Sequence, residues 1–178
     1  MELIFIRHGC TPGNKEKRYI GKTDESLLPE SAAELRERTR RGEYGRPEIL
    51  FVSPMRRCIE TAGIIYPDME LNIIRSFREC DFGMFEGRNY AELNGNPDYQ
   101  RWIDSGGTMP FPGGESMDEM IDRVMKGFYE AMDIANGRDA AFVVHGGTIM
   151  AVMSRIDGGN FYDYQLDNGE CLTFSIML

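Results

Sequence analysis

"ELIFIRHG", residues 2–9, and "AAFVVHGG", residues 140–147, share one design: an apolar run of strand length that ends in histidine and then glycine. Nearly continuous apolar runs of this kind suit strands buried on both faces, as in a parallel sheet covered by helices. In such sheets ligands bind in the crevice beyond the carboxyl ends of the strands. His8 and His145 are the two histidines of the chain, and each stands just past a predicted strand. The pattern predicts that both imidazoles, with Arg7 beside them, meet at one crevice.

Working outward, "PESAAELRERTRR" (29–41) reads as a polar-faced helix with Pro29 in its first turn and Gly42 as its stop. "EILFVS" (48–53) reads as a second buried strand, and Pro54 is expected to open the helix "MRRCIETAGII". A short strand follows near "MELNII" (69–74). Residues 115–135, "ESMDEMIDRVMKGFYEAMDIA", put Met117, Met120 or Ile121, Val124 and Phe128 on one stripe, the pattern of a long amphipathic helix. Glu115 and Ser116 are expected in its acidic first turn. "TIMAVMSRI" continues the second histidine strand as a buried helix, "DYQLDNGECL" reads as a turn, and "ECLTFSIML" as a closing strand. The expected fold class is α/β, in three layers: a mostly parallel central sheet with helices on both faces. Residues 1–178 form one expected domain. Residues 75–114, dense in Gly, Pro, Asn and aromatics, are expected as a small cap-like insertion of loops and short helices. Tyr90, Tyr99, Trp102 and Phe111 either wall the pocket under that cap or pack it on the sheet.

At 178 residues, 42% hydrophobic and 28% charged, the chain supports a substantial core and no disordered character. Its formal charge of -9 opposes a large nucleic-acid footprint or an anionic membrane surface, while leaving room for a local basic pocket. No run of eighteen apolar residues occurs, and a strand stands where a signal peptide would, so a cytoplasmic soluble protein is expected. Cys10, Cys58, Cys80 and Cys171 are scattered without a C-x-x-C pair, and the histidines lack metal-ligand spacing. Four reduced thiols, no metal and no cofactor are the expectation. No residue pattern sets an oligomeric state.

Two imidazoles with guanidinium groups make a pocket for a compact dianion, because the guanidinium fork hydrogen-bonds phosphate oxygens in pairs. A neutral histidine whose one ring nitrogen donates to a backbone carbonyl can attack phosphorus with the other. The leaving alkoxide then needs a proton, and Glu79 in "FRECDFGMFEGR" is the candidate acid, with Asp81 and Glu86 as alternatives.

The assembled motifs resemble the histidine phosphatase superfamily, also called phosphoglycerate mutase-like. "LIFIRHGCTPGN" is similar to its Arg-His-Gly signature with a following Thr and Asn, and "FVSPMRRCIETA" to its second motif, which puts the arginine on Arg57, with Arg56 as competitor. "FRECDFGMFEG" places the acid on Glu79 and "VVHGGTI" the second histidine on His145. The resemblance implies a phosphoglycerate mutase-like fold and a metal-independent phosphatase acting on a small phosphorylated metabolite. His8 would become phosphorylated, Arg7, Arg57 and His145 would clamp the phosphoryl oxygens, and Glu79 would protonate the leaving oxygen and later activate water. Asn14, Thr11 and the backbone N–H of Gly146 would add substrate contacts.

"GKTDESLL" and "PFPGGESMDEMIDRV" resemble the alpha-ribazole phosphatase branch, and the chain stops after its last strand, which favours hydrolysis. A phosphoglycerate mutase and a non-catalytic module binding phosphorylated ligands are the alternatives. Ser31, Cys58 and Glu60 depart from the residues usual in relatives. Cys10 and Cys80 adjoin candidate catalytic groups, so mild peroxide is expected to inhibit.

Overall fold

The computed structural model describes residues 1–176. Among them five strands, β1 (Glu2–Arg7), β2 (Ile49–Val52), β3 (Leu71–Ile73), β4 (Ala140–Val144) and β5 (Cys171–Ser175), form one sheet ordered β3-β2-β4-β1-β5. The first four run parallel and β5 joins β1 antiparallel, so the sheet is mostly parallel as expected. The last two residues of the expected closing strand lie outside the described residues.

Side chains alternate along each strand, and here the alternation feeds two cores. Leu3, Phe5, Phe51, Phe142 and Val144 pack with the buried stripe of α6 (Met117–Ala135) and with α7 (Gly146–Ile156). Ile4, Ile6, Leu50, Val52, Ala141 and Val143 pack against α2 (Pro29–Arg40) and α3 (Arg56–Ile65) through Leu35, Cys58, Ala62 and Ile65. Helices thus cover both faces, giving the three layers. Phe142 stacks between its register neighbours Phe5 and Phe51 at 4.9 and 5.2 Å between ring centroids, tying the three central strands together.

Two helix starts differ from the sequence reading. The helix after β2 begins at Arg56 rather than Pro54, because the Met55 N–H turns back to Ser53 Oγ at 3.3 Å. α6 begins at Met117, capped by Ser116 in a box with Glu119. Glu115 therefore lies outside the first turn, and its carboxylate takes the Arg123 guanidinium at 2.7 Å. A one-turn helix, α1 (Pro12–Lys15), also follows β1, capped by Thr11. Residues 75–114 carry single 3₁₀ turns at Arg75–Phe77 and Gly83–Phe85 and two short helices, α4 (Tyr90–Leu93) and α5 (Pro97–Asp104). Tyr19, Phe85, Tyr99, Trp102 and Phe111 form one aromatic cluster there.

Candidate active site

Strand register brings the histidines together. Arg7 of β1 pairs with Val144 of β4, and the His8 N–H continues the ladder to the Val144 carbonyl at 3.0 Å. The next residue on each strand is the histidine, and the two rings lie 5.2 Å apart, centroid to centroid, in an edge-on arrangement. Both are buried, His8 with 3% and His145 with 0% exposure.

His8 Nδ1 lies 2.7 Å from the Gly9 carbonyl oxygen, which only accepts, so Nδ1 carries the proton and Nε2 keeps its lone pair. Burial, followed by the nearby positive charge of Arg57, presses the His8 pKa down to about 3, so the ring is neutral near pH 7. The same two causes hold His145 well below its ordinary value. His145 Nε2 meets Ser53 Oγ at 2.7 Å, and its Nδ1 lies 3.8 Å from Glu79 Oε2. Burial pushes the Glu79 carboxyl up, against the Cys80 N–H that donates to Oε1 at 2.9 Å and against Arg57 and Arg7. A buried carboxyl whose proton affinity is raised, close to an imidazole whose proton affinity is lowered, is suited to carry a proton.

Arg57 is the largest fully buried side chain, at 1% exposure. Among the described residues its guanidinium donates to backbone carbonyls: Thr23 at 2.9 Å, Gly21 at 3.2 Å and Ile20 at 3.3 Å. Those carbonyls fix the fork but supply no counter-charge, and a buried charge is expensive until an anion pairs with it. Gly21 lets this loop close against Cys80, since a Cβ there would sit 2.0 Å from the Cys80 carbonyl oxygen. Arg56 faces outward, pairing with Glu60 at 2.8 Å, so the choice left open in the sequence falls on Arg57.

Arg7 donates through Nη1 to the Leu166 carbonyl at 2.6 Å, while its buried Nε has no hydrogen-bond partner among the described residues. Gly146 begins α7 directly after His145, with an ideal Cβ 3.5 Å from Arg7 Nε. The helix leaves its first N–H groups unsatisfied at this end. The neighbouring Gly147 is tight: a Cβ would come within 3.0 Å of Glu79 Oε1.

The remaining expected contacts divide. Asn14 lines a cleft with Arg7, but its Oδ1 takes the Thr11 hydroxyl at 3.0 Å and the Asn168 amide at 3.3 Å. The Thr11 hydroxyl is thereby spent on the cap of α1. Asp81 and Glu86, the alternative acids, are otherwise engaged: Asp81 pairs with Lys22 at 2.9 Å, and Glu86 Oε1 accepts from the Gly21 and Thr23 N–H groups, each at 2.9 Å. Burial raises the Cys10 and Cys80 thiols, which lowers the share of reactive thiolate at each.

Three contributors escaped the sequence reading. Ser53 stands past β2 as the histidines stand past β1 and β4, and that strand-end position was the available signal. Asn168 belongs to the turn before β5, and its amide donates to the His8 carbonyl at 3.0 Å. Thr61 receives the Gly9 N–H at 3.0 Å and steadies the histidine loop.

The model of the histidine phosphatase superfamily, branch 1, matches residues 3–176. The chain belongs to that superfamily. A Bacillus subtilis relative, the uncharacterized phosphatase PhoE, is 31% identical over 163 residues, covering 89% of this chain and 78% of its own. The crystal structure of Entamoeba histolytica phosphoserine phosphatase in complex with 3-phosphoglyceric acid superposes with a TM-score of 0.84 at 26% identity, covering 98% of this chain and 90% of that one. The alpha-ribazole phosphatase of Shigella flexneri gives a TM-score of 0.88 over 99% of this chain and 91% of its own; at 20% identity it shows the shared fold. The protein is an enzyme of the phosphatase and mutase type found in this superfamily. Among the described residues no helix is long and apolar enough to cross a membrane.

Proposed function

We propose that this chain is a metal-independent phosphomonoesterase that works through a phosphohistidine on His8. The observation that carries the reading is the His8 ring, neutral and fixed by its Nδ1–H to Gly9, near a buried Arg57 guanidinium that forms no salt bridge among the described residues. His8 Nε2 attacks phosphorus and forms the N–P bond as the ester P–O bond breaks, and the Glu79 carboxyl gives its proton to the leaving oxygen. Arg7, Arg57, His145 and the N–H of Gly146 take the negative oxygens, with Asn14 at the edge of the site. Ser53 Oγ holds His145 Nε2 at 2.7 Å and orients the ring with Nδ1 towards Glu79. Water then attacks the phosphohistidine and passes its proton to the Glu79 carboxylate. The N–P bond breaks, phosphate leaves and the enzyme is restored.

Within this single domain, residues 75–114 act as a cap that closes over a small phosphorylated metabolite of the cytoplasm. Alpha-ribazole phosphate is the specific candidate, on the resemblance of "GKTDESLL" and "PFPGGESMDEMIDRV" to that branch. The test is release of phosphate from p-nitrophenyl phosphate and alpha-ribazole phosphate in EDTA. Turnover that disappears in His8→Ala supports the reading. Turnover that survives the substitution, or conversion of 3-phosphoglycerate to its 2-isomer in place of hydrolysis, overturns it.

A further inference from the structure

Two clefts open beside the site, separated by Tyr19. One, of about 400 Å³, includes Arg7, Asn14, Lys17 and Arg18. The other, of about 210 Å³, has Glu79 and Gly147 at its base and walls that include Tyr19, Trp102, Phe111 and Phe161. Among the described residues that line the second cleft Glu79 is the one carboxyl and there is no cation, and Met117, Met120 and Met150 lie among the rings. The proton donor decides which cleft holds the departing alcohol, because the leaving oxygen must lie against Glu79 while phosphorus lies against His8. The acid belongs to the aromatic cleft alone.

Resting on the phosphomonoesterase reading above, we infer that this aromatic cleft receives the leaving alcohol as a flat, uncharged ring, so that the preferred substrates are phosphate esters of ring-bearing apolar alcohols. A carboxylate carried into the cleft would be desolvated beside Glu79 and find no cation, a cost that a neutral ring does not meet. The rings and thioethers instead offer stacking and sulfur contacts to an aromatic face. The size agrees, since an apolar cavity of about 150 Å³ suffices to hold benzene. Trp102 and Phe111 stack on each other with centroids 4.9 Å apart, which makes that wall rigid, while Met150 on α7 supplies an adaptable one.

The test compares esters of primary alcohols, so that differences in leaving-group acidity stay small: benzyl phosphate, ethyl phosphate, phosphoserine and 3-phosphoglycerate. Benzyl phosphate is expected to exceed each of the others in kcat/KM by at least about tenfold, as burial of one apolar ring implies. Trp102→Ala should lower the benzyl-to-ethyl ratio by about tenfold. Met150→Lys, which brings an ammonium into the cleft, should raise phosphoserine relative to benzyl phosphate by a similar factor, and it serves alone if Trp102→Ala fails to fold. Phosphoserine or 3-phosphoglycerate turned over as well as benzyl phosphate, with ratios that neither variant moves, overturns the inference and leaves the phosphomonoesterase standing. Absence of turnover on all four esters and on p-nitrophenyl phosphate overturns the underlying reading itself.

Discussion

Glu79→Gln isolates the proton that the leaving group needs. Glutamine keeps the volume and still accepts the Cys80 N–H, which in the native protein reaches Oε1 at 2.9 Å, so the loop should hold its shape. What disappears is the carboxyl whose proton affinity burial raises, 3.8 Å from His145. General acid catalysis of this kind contributes about 10²–10⁴-fold, or roughly 3–5 kcal/mol of transition-state stabilisation. That whole loss should appear in kcat/KM for an alkyl ester such as benzyl phosphate. p-Nitrophenyl phosphate expels a stable phenolate that hardly needs the proton, so its kcat/KM, which reports phosphorylation of His8, should fall far less. Its kcat should fall steeply, because the second step still needs a base to activate water, and rapid-mixing experiments should show a burst of nitrophenolate. Equal losses in kcat/KM for the two esters would mean that Glu79 positions the site and transfers no proton. No loss with the alkyl ester would remove Glu79 from the chemistry.

Other consequences follow from the same geometry. Ser53→Ala leaves His145 Nε2 and the Met55 N–H without their 2.7 and 3.3 Å partner, so urea denaturation should show a loss of about 1–3 kcal/mol, and ring ¹⁵N NMR should show the His145 proton redistributed between its nitrogens. Gly21→Ala drives a Cβ to 2.0 Å from the Cys80 carbonyl; overpacking of this kind costs about 1–3 kcal/mol, and a lower melting temperature should accompany loss of activity as the Arg57 cradle shifts. Stability should fall with acid. His8 has a folded pKa of about 3 against 6.5 in the unfolded chain, so the unfolded state binds the extra proton between those values and gains on the native state as pH drops. His145 acts in the same sense, while Glu79, pushed up, opposes them because its contribution is fullest at low pH and fades as pH rises. His8→Asn should remove close to one proton from the slope, about 1.4 kcal/mol per pH unit between pH 4 and 5.5 in urea titrations.

The layered fold was legible because β1 is apolar from Leu3 to Ile6 and β4 from Ala140 to Val144, runs that declare burial on both faces. The site was legible because its histidines follow those strands directly, and register converts that coincidence of sequence into contact. What the sequence withheld depends on distant atoms. The motif resemblance puts the arginine on Arg57 and leaves Arg56 in competition; the carbonyls of Ile20, Gly21 and Thr23 choose between them. Thr11 carries the hydroxyl of a donor, but α1 is too short to be read from periodicity, and the hydroxyl serves its cap. Asn168 reaches the His8 carbonyl because the turn before β5 folds over the end of β1, a consequence of the antiparallel edge that no local pattern encodes. Trp102 and Phe111 line the aromatic cleft, Tyr90 lines the cationic one, and Tyr99 packs against Phe85. Composition alone could not sort rings that occupy one segment but face different surroundings.

The most direct measurement is mass spectrometry of the enzyme quenched during turnover of p-nitrophenyl phosphate. One acid-labile, alkali-stable phosphoryl group per chain, located on His8 and formed fast enough to account for the steady-state rate, is the predicted result. Full turnover with no covalent phosphate on His8, or with phosphate on another side chain, would contradict it.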